Sequence, residues 1–297
     1  MPAVTKRLFD KEQNFAMLLV APAVVILLAT TTLPLAFLIW NSFHSINLAM
    51  PFMNGFIGFE NYRTMLHDGE FWHSLGLTAI YTASTVIMQL VIGLGLALLV
   101  MQIPAGQWLF RIVAILPIVL APVVVGLFWR TLMLAPNFGI VDFMTRALGF
   151  DAVNWLGSTT PALVSVILIH TWQWTPFAFL VLLASLASLP PDVYEAARID
   201  RASAWRRFIH ITLPLLRPAI VIVVIMRSMI ALSAFAAIFA ATGGGPGTAT
   251  EILNLYAYRT SFVKLDFGYG SALAVALLLI TLVVSSVLFV IRTARTR

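Results

Sequence analysis

Four side chains stand close together in the stretch "HTWQWTPF": His170, Gln173, Trp174 and Phe177. Their spacing of three, one and three residues puts them on one face of a helix, with Trp172 pointing elsewhere. The imidazole and the carboxamide offer hydrogen bonds, and the two rings offer flat apolar platforms. Such a face suits hydrogen bonding and packing between helices, at about 1 kcal/mol per bond. It equally suits recognition of a small polar solute. Arg227 is a second isolated polar group, nine residues beyond Pro218 and so about 13 Å along a helix. No acid accompanies it, since Ala231, Ala234, Ala236 and Ala237 occupy the next two turns. A guanidinium so placed needs a partner: backbone carbonyls, another subunit, water or an anionic group on a solute. Its role is structural in the first cases and ligand-binding in the last.

Catalytic chemistry finds little support. His170 is the only histidine inside an apolar run, and His44, His67, His73 and His210 form no metal-like cluster. There are no cysteines, which excludes disulfides, thiol catalysis and cysteine-ligated metals. "GGGPG" from Gly243 to Gly247 is followed by no Gly-Lys-Ser/Thr, so it reads as a flexible turn and not a phosphate loop. An intramembrane enzyme would need a paired nucleophile and base, or metal ligands.

The elements that must position these groups are oily. The 297 residues are 61% hydrophobic with mean hydropathy +0.97, well above the roughly 45–50% of a soluble domain. Asp, Glu, Lys and Arg are absent between Glu12 and Glu60, Glu70 and Arg111, Asp151 and Asp192, Arg227 and Glu251, and Asp266 and Arg292. Runs of about 20 apolar residues read as membrane spans. Six follow, over residues 15–42, 74–101, 110–133, 161–189, 218–242 and 270–291, with a polar tail over 1–14. Pro22, Pro34, Pro117 and Pro122 fall within them, as lipid-embedded helices tolerate. The chain is therefore expected to be an all-α membrane protein, with residues 15–297 as one transmembrane domain, no internal repeat and no soluble domain.

The net charge of +6 is a matter of sidedness and not of nucleic-acid binding. Lys6, Arg7, Lys11, Arg111, Arg292, Arg295, Arg297 and five arginines after the fourth span lie on one set of loops. That side is expected to be cytoplasmic, together with both termini.

Those five arginines sit in "EAARIDRASAWRRFIHITLPLLRPA", Glu195 to Ala219. The sequence predicts a helix opening at Asp192, with Glu195 closing a capping box, and nothing to break it before Ala204. A second short run follows with Trp205, Phe208 and Ile211 at three-residue spacing. Pro214 and Pro218 are expected to redirect the chain into the fifth span. Composition alone is met by a basic loop lying on lipid headgroups.

The order of residues adds more. Glu195-Ala196-Ala197, Asp200 and Ile211-Thr212-Leu213-Pro214 resemble the EAA motif of ATP-binding-cassette importer permeases. The Trp-x-x-x-Pro-Phe of the fourth span, "ATGGGPGTAT", "YAYRTSF" and "DFGYGSALA" resemble the carbohydrate-uptake subfamily. The resemblance implies a coupling helix within a loop over 190–217, where Glu195, Ala196, Ala197, Asp200, Arg201, Leu213 and Pro214 meet a cytoplasmic ATPase. Small alanines allow close contact, and charges hold register. It further implies a second, different permease subunit and two ATP-binding subunits. A separate extracytoplasmic solute-binding protein and the bacterial plasma (inner) membrane complete the assembly. No cofactor or metal is expected on this chain, with ATP and magnesium on the partner ATPase. His170, Gln173, Trp174, Phe177 and Arg227 would then line a sugar pathway, aromatic rings meeting the C–H faces of a sugar and polar groups its hydroxyls.

Arg201 departs from the resemblance, which has glycine after the acid. Glycine permits a left-handed backbone that arginine adopts at a cost, so the turn takes another shape here or Arg201 makes a contact of its own. The competing reading is a secondary carrier or channel for a small polar solute. It requires intramembrane acids for ion coupling, and the uncharged runs contain none.

Overall fold

The computed structural model describes residues 3–103, 106–149 and 151–294; Arg295 and Arg297 lie outside the described residues. The chain forms α1 (Ala3–Ser42), a hairpin of β1 (His44–Ser45) and β2 (Gly55–Phe56), α2 (Glu60–His67), α3 (Gly69–Met101), α4 (Gln107–Val119) and α5 (Pro122–Phe128). Then come α6 (Ile140–Ala147), α7 (Thr159–Ala187), α8 (Pro191–Ile199), α9 (Ala204–Arg207), α10 (Leu213–Leu232), α11 (Ala236–Ala241), α12 (Leu253–Phe262) and α13 (Phe267–Ala294). The polar start is helical from Ala3 onward, continuous with the first apolar run.

Five helices are long and apolar enough to cross a membrane, or six if the bent pair α4 and α5 counts as one. The third expected span is therefore not a single rod. It bends by 96° between Val119 and Pro122. The cause is local: Pro122 has no N–H to donate and drives the residue before it out of the helical region. Ala121 accordingly lies at φ −60, ψ 136 and Leu120 at φ −72, ψ 137. The fifth expected span is also interrupted. Its helix ends at Leu232, and α11 restarts at Ala236. Ser233 donates its hydroxyl to the carbonyls of Met229 and Ile230 (3.1 and 3.2 Å), occupying the last-turn acceptors.

Two compact units emerge, Met1–His67 with Arg259–Val275, and Asp68–Tyr258 with Ala276–Arg297. In the first, β1 pairs antiparallel with β2, His44 opposite Phe56. Asn61 Nδ2 donates to the carbonyls of Ser42 and His44 (2.9 and 3.0 Å), and the amide of Phe267 donates to the Ile46 carbonyl (2.8 Å).

The second unit carries the polar face. Its core packs α3, α7 and α10 through Ala97, Ala178, Phe179, Leu182, Leu216 and Val223. Small residues let backbones approach, the usual device where lipid supplies no hydrophobic drive between helices. A Cβ added to Gly93 would lie 2.9 Å from both Ala178 Cβ and the Phe179 amide nitrogen. At the crossing of α5 and α11, a Cβ on Gly126 would lie 2.8 Å from Ala240 Cβ. The "GGGPG" turn is not loose: Gly243, Gly244 and Gly247 take left-handed φ of 62, 97 and 57. Thr250 Oγ1 donates to the Gly245 carbonyl (3.0 Å) and meets Thr242 Oγ1 at 2.7 Å.

Gly93→Val will push α3 off α7 and cost about 1–3 kcal/mol, read as a lowered thermal unfolding midpoint in detergent. Gly95, where an added Cβ meets nothing within 4 Å, is the control. Gly95→Ala will leave the midpoint unchanged or raise it through helix propensity.

Candidate functional site

The close approach at Gly93 brings Gln89, one turn earlier on α3, beneath His170 of α7. Arg227 of α10 enters the same place and is 0% exposed. Its Nε donates to Gln89 Oε1 at 2.7 Å, and its Nη2 donates to His170 Nε2 at 3.1 Å. A guanidinium only donates, so Nε2 accepts and the imidazole proton sits on Nδ1. Gln89 Nε2 donates to the His170 carbonyl at 3.3 Å. The Arg227 Cζ lies 4.5 Å from the Trp174 ring centroid, a cation–π contact. Tyr81 closes the group with its ring 5.3 Å from His170. Arg227 Nη1 and the Tyr81 hydroxyl have no hydrogen-bond partner among the described residues.

Among the described residues the partners of Arg227 are thus side chains of its own chain, a class that the sequence did not point to. Sequence reasoning missed Gln89 and Tyr81. A signal existed for the first, because Gln89 is the one amide side chain in α3. Nothing in the spacing pointed to Tyr81.

The four-residue face on α7 divides its work. His170 and Trp174 turn to Arg227. Gln173 is 1% exposed and donates through Nε2 to the Leu120 carbonyl at 3.1 Å. That carbonyl is one freed by the bend before Pro122, so Gln173 satisfies the broken helix. Its Oε1 is left without a partner. Phe177 is half-buried and enters none of these contacts. A cavity of about 240 Å³ opens beside this face, lined by His170, Gln173, Trp174 and Pro122 with Ile230 and the interrupted segment from Ser233 to Ile238. Neither Arg227 nor Phe177 lines it. Trp172 belongs to a separate, nearly wholly apolar cavity of about 510 Å³ between α3, α4 and α7. Among the described residues no group of three His, Asp or Glu could hold a metal.

The loop after α7 is a pair of short helices. The expected capping box is absent: Pro190 is the N-cap and makes no side-chain cap bond, and Asp192 falls inside the first turn. Pro191 sits at the first helical position, where its missing N–H costs nothing and its fixed φ favours the start. Asp192 still faces the positive helix end. The helix also stops at Ile199, short of Ala204. Its end is a Schellman motif: the Ala202 amide donates to the Ala197 carbonyl (2.9 Å) and the Arg201 amide to the Arg198 carbonyl (3.0 Å). Arg201 takes φ +53 to close it. The left-handed turn is therefore made, with arginine where glycine is the usual occupant. Of the predicted loop residues, Ala197 is buried, while Glu195, Ala196, Asp200, Arg201, Leu213 and Pro214 are exposed. Ser203 then caps α9, accepting from the Arg206 amide at 3.3 Å; sequence reasoning missed this cap.

Pro214 and Pro218 do not redirect the chain. Helix runs unbroken from Ala204 to Leu232, through a π-helical turn over Phe208–Thr212. A wider turn relieves the clash a proline ring makes with the preceding carbonyls. Tyr194 and Thr212 hydroxyls meet at 2.9 Å, joining α8 to that turn.

Arg201→Gly will remove a left-handed backbone cost of about 1–2 kcal/mol. Slower hydrogen exchange at the Ala202 amide, which reports the Schellman bond, is the expected readout. Gln89→Leu will leave the Arg227 Nε unpaired in a fully buried site. It will cost about 1.5–3 kcal/mol, as for a lost hydrogen bond to a charged group, measured as thermal stability in detergent.

The family described as binding-protein-dependent transport system inner membrane component matches residues 89–295. Two relatives span nearly the whole chain. The sulfoquinovosyl glycerol transport system permease protein SmoG of Agrobacterium fabrum is 38% identical, covering 99% of this chain and 95% of its own. The trehalose/maltose transport system permease protein MalF of Thermococcus litoralis is 33% identical, covering 99% and 98%. The fold is that of a bacterial ABC transporter involved in import of the acidic polysaccharide alginate, at TM-score 0.82 and 22% identity over 99% of both chains. With most of its length inside the family match and full-length relatives above the thirty-per-cent level, the chain belongs to the binding-protein-dependent inner membrane permeases, multi-pass transport components of the inner membrane.

Proposed function

We propose that this chain is one permease subunit of an ATP-driven importer of a sugar or sugar derivative. The observation that carries the reading is the continuous helix from Ala204 to Leu232. It leads from the two-helix loop carrying Glu195, Ala196, Ala197 and Asp200 to the wall of a cavity edged by Trp174, His170 and Gln173. Relatives named for sulfoquinovosyl glycerol and for trehalose and maltose support the cargo class.

The cavity of about 240 Å³ is below the roughly 300–1,000 Å³ of a complete small-ligand site. It serves as half of a pathway that a second permease subunit completes. Trp174 offers a ring face to the sugar, while His170 and Gln173 offer polar edges. Phe177 supports the same face from one turn further on. The loop over 190–217 acts as the coupling element. Glu195, Asp200 and Arg201 hold its register on an ATP-binding subunit, Ala196 and Ala197 allow close contact, and Leu213 and Pro214 begin the helix that carries the movement inward. Two such ATPases bear ATP and magnesium, and a binding protein delivers cargo from the far side. The basic loops and both termini face the cytoplasm.

Complex reconstituted in proteoliposomes with its ATPase and binding protein will take up labelled sugar only when ATP is enclosed with the nucleotide-binding subunits. Glu195→Lys will cut uptake at least tenfold while the binding protein still associates. Uptake driven by a proton or sodium gradient without ATP would replace this reading with that of a secondary carrier.

A further inference from the structure

Arg227 is a cation with no anion. It is 0% exposed, and α3 beyond Glu70, α4, α5, α7, α10 and α11 contain no Asp or Glu. Its two hydrogen-bond acceptors, Gln89 Oε1 and His170 Nε2, are neutral dipoles. They solvate the charge without cancelling it. Nη1 and the neighbouring Tyr81 hydroxyl are donors without an acceptor among the described residues. Full burial also keeps a carboxylate of another subunit from reaching the guanidinium.

The uncancelled charge stands just behind the cavity wall. Trp174 and His170 both touch Arg227, and both line the cavity of about 240 Å³. That lining includes no Asp, Glu, Lys or Arg, so no other fixed charge competes there. We infer that Arg227 sets the charge preference of this cavity from behind Trp174 and His170, selecting cargo that bears an anionic group such as a sulfonate, carboxylate or phosphate over its neutral counterpart. The inference rests on the importer reading above and names its substrate class.

The magnitude is sizeable. The guanidinium is 4.5 Å from the Trp174 ring centroid, and an atom in van der Waals contact beyond a ring is about 3.5 Å further. A unit charge about 8 Å away, at an effective dielectric of about 20, changes binding about thirtyfold. Arg227 acts as a positioning residue here, since it reaches the cargo through its field and not by contact.

The test uses the complete transporter in proteoliposomes with its binding protein and two probes of matched size, sulfoquinovosyl glycerol and the neutral glucosyl glycerol. The readout is the ratio of anionic to neutral uptake in each variant relative to wild type, in which the contribution of the binding protein cancels. Arg227→Gln is expected to lower that ratio about ten- to thirtyfold through KM, while Arg227→Lys keeps it within about threefold. Because Arg227→Gln strands Gln89 and His170, the pair Arg227→Met with Gln89→Leu removes charge and acceptor together and is expected to lower the ratio equally. Equal losses for both probes, leaving the ratio unchanged, would show a structural tie and overturn the inference. Wild-type import of the neutral probe alone would overturn it too, with the importer reading intact. Import of neither probe alongside ATP-dependent import of a neutral disaccharide such as trehalose would overturn it as well, and ATP-dependent import of no sugar would instead sink the reading on which it rests.

Discussion

A fully buried guanidinium with no carboxylate partner among the described residues governs the core of the second unit. Dehydrating such a charge costs several kcal/mol even after relaxation, so the surrounding helices must supply aligned dipoles. Two of them do, α3 through Gln89 and α7 through His170 and Trp174, around the charge that α10 brings in. Each contact fixes a rotation as well as a distance. Gln89 must stand one turn from Gly93, where α3 and α7 come closest, and His170 must hold its proton on Nδ1. On α10 the buried stripe reads Leu216, Ala219, Val223, Arg227 and Ala231, recurring every three or four residues as a core face does. Arg227 occupies the middle of that stripe, where leucine would be the ordinary choice.

A second constraint is that no backbone carbonyl can be left bare in a lipid-embedded bundle. The helices break at two places, and at each an amide side chain reaches in. Gln173 takes the Leu120 carbonyl at the bend before Pro122. Asn254 Nδ2 takes the carbonyls of Ser233 and Ala234 at 3.1 and 3.3 Å. The cavity lies between these two repairs, bounded by Pro122, Gln173 and the segment from Ser233. Broken helices free the space, and the amides make the breaks tolerable. The same residues that permit the cavity furnish part of its polar edge.

The spans were legible because charge and apolarity are linear properties of the chain. The uncharged gaps located α7, α13, the end of α1 and, to within five residues, α3, while α1 begins twelve residues before the expected span because its polar start is helical too. The position of the loop was legible from Glu195-Ala196-Ala197 and Leu213-Pro214; its left-handed turn was not, because an arginine after Asp200 argued for another shape, and Arg201 takes φ +53 all the same. Less legible was whatever depends on a neighbour distant in sequence. Gln89 and Arg227 are 138 residues apart, and no periodicity announces their meeting. The break after Leu232 contains neither glycine nor proline, and the Asn254 that stabilises it lies on another helix. Proline misled in both directions. Pro122 reads as tolerated within a span and breaks it, whereas Pro214 and Pro218 read as turning the chain and stand in continuous helix, Pro214 directly after a π-helical turn over Phe208–Thr212 that a sequence pattern does not display.

In the importer proposed above, that turn matters for how movement would pass from the loop to the bundle. Helix from Ala204 to Leu232 covers 29 residues, about 43 Å at 1.5 Å per residue. Arg227 is anchored near one end. At the other, Ser203 caps α9 directly after the Schellman turn of Arg201. A displacement applied to α8 and α9 can be lost along this rod only where its hydrogen bonds are irregular, at Phe208–Thr212. Tyr194 bonds to Thr212 at that spot, so α8 is tied to the end of the turn directly as well as through the chain. The linkage from loop to bundle therefore has two parallel connections and little slack. Loop residues such as Ile199 and Trp205, 82% and 69% exposed, stand at the free end of that lever. Its other end bears on Gln89 and on His170 and Trp174, the last two being side chains of the cavity wall.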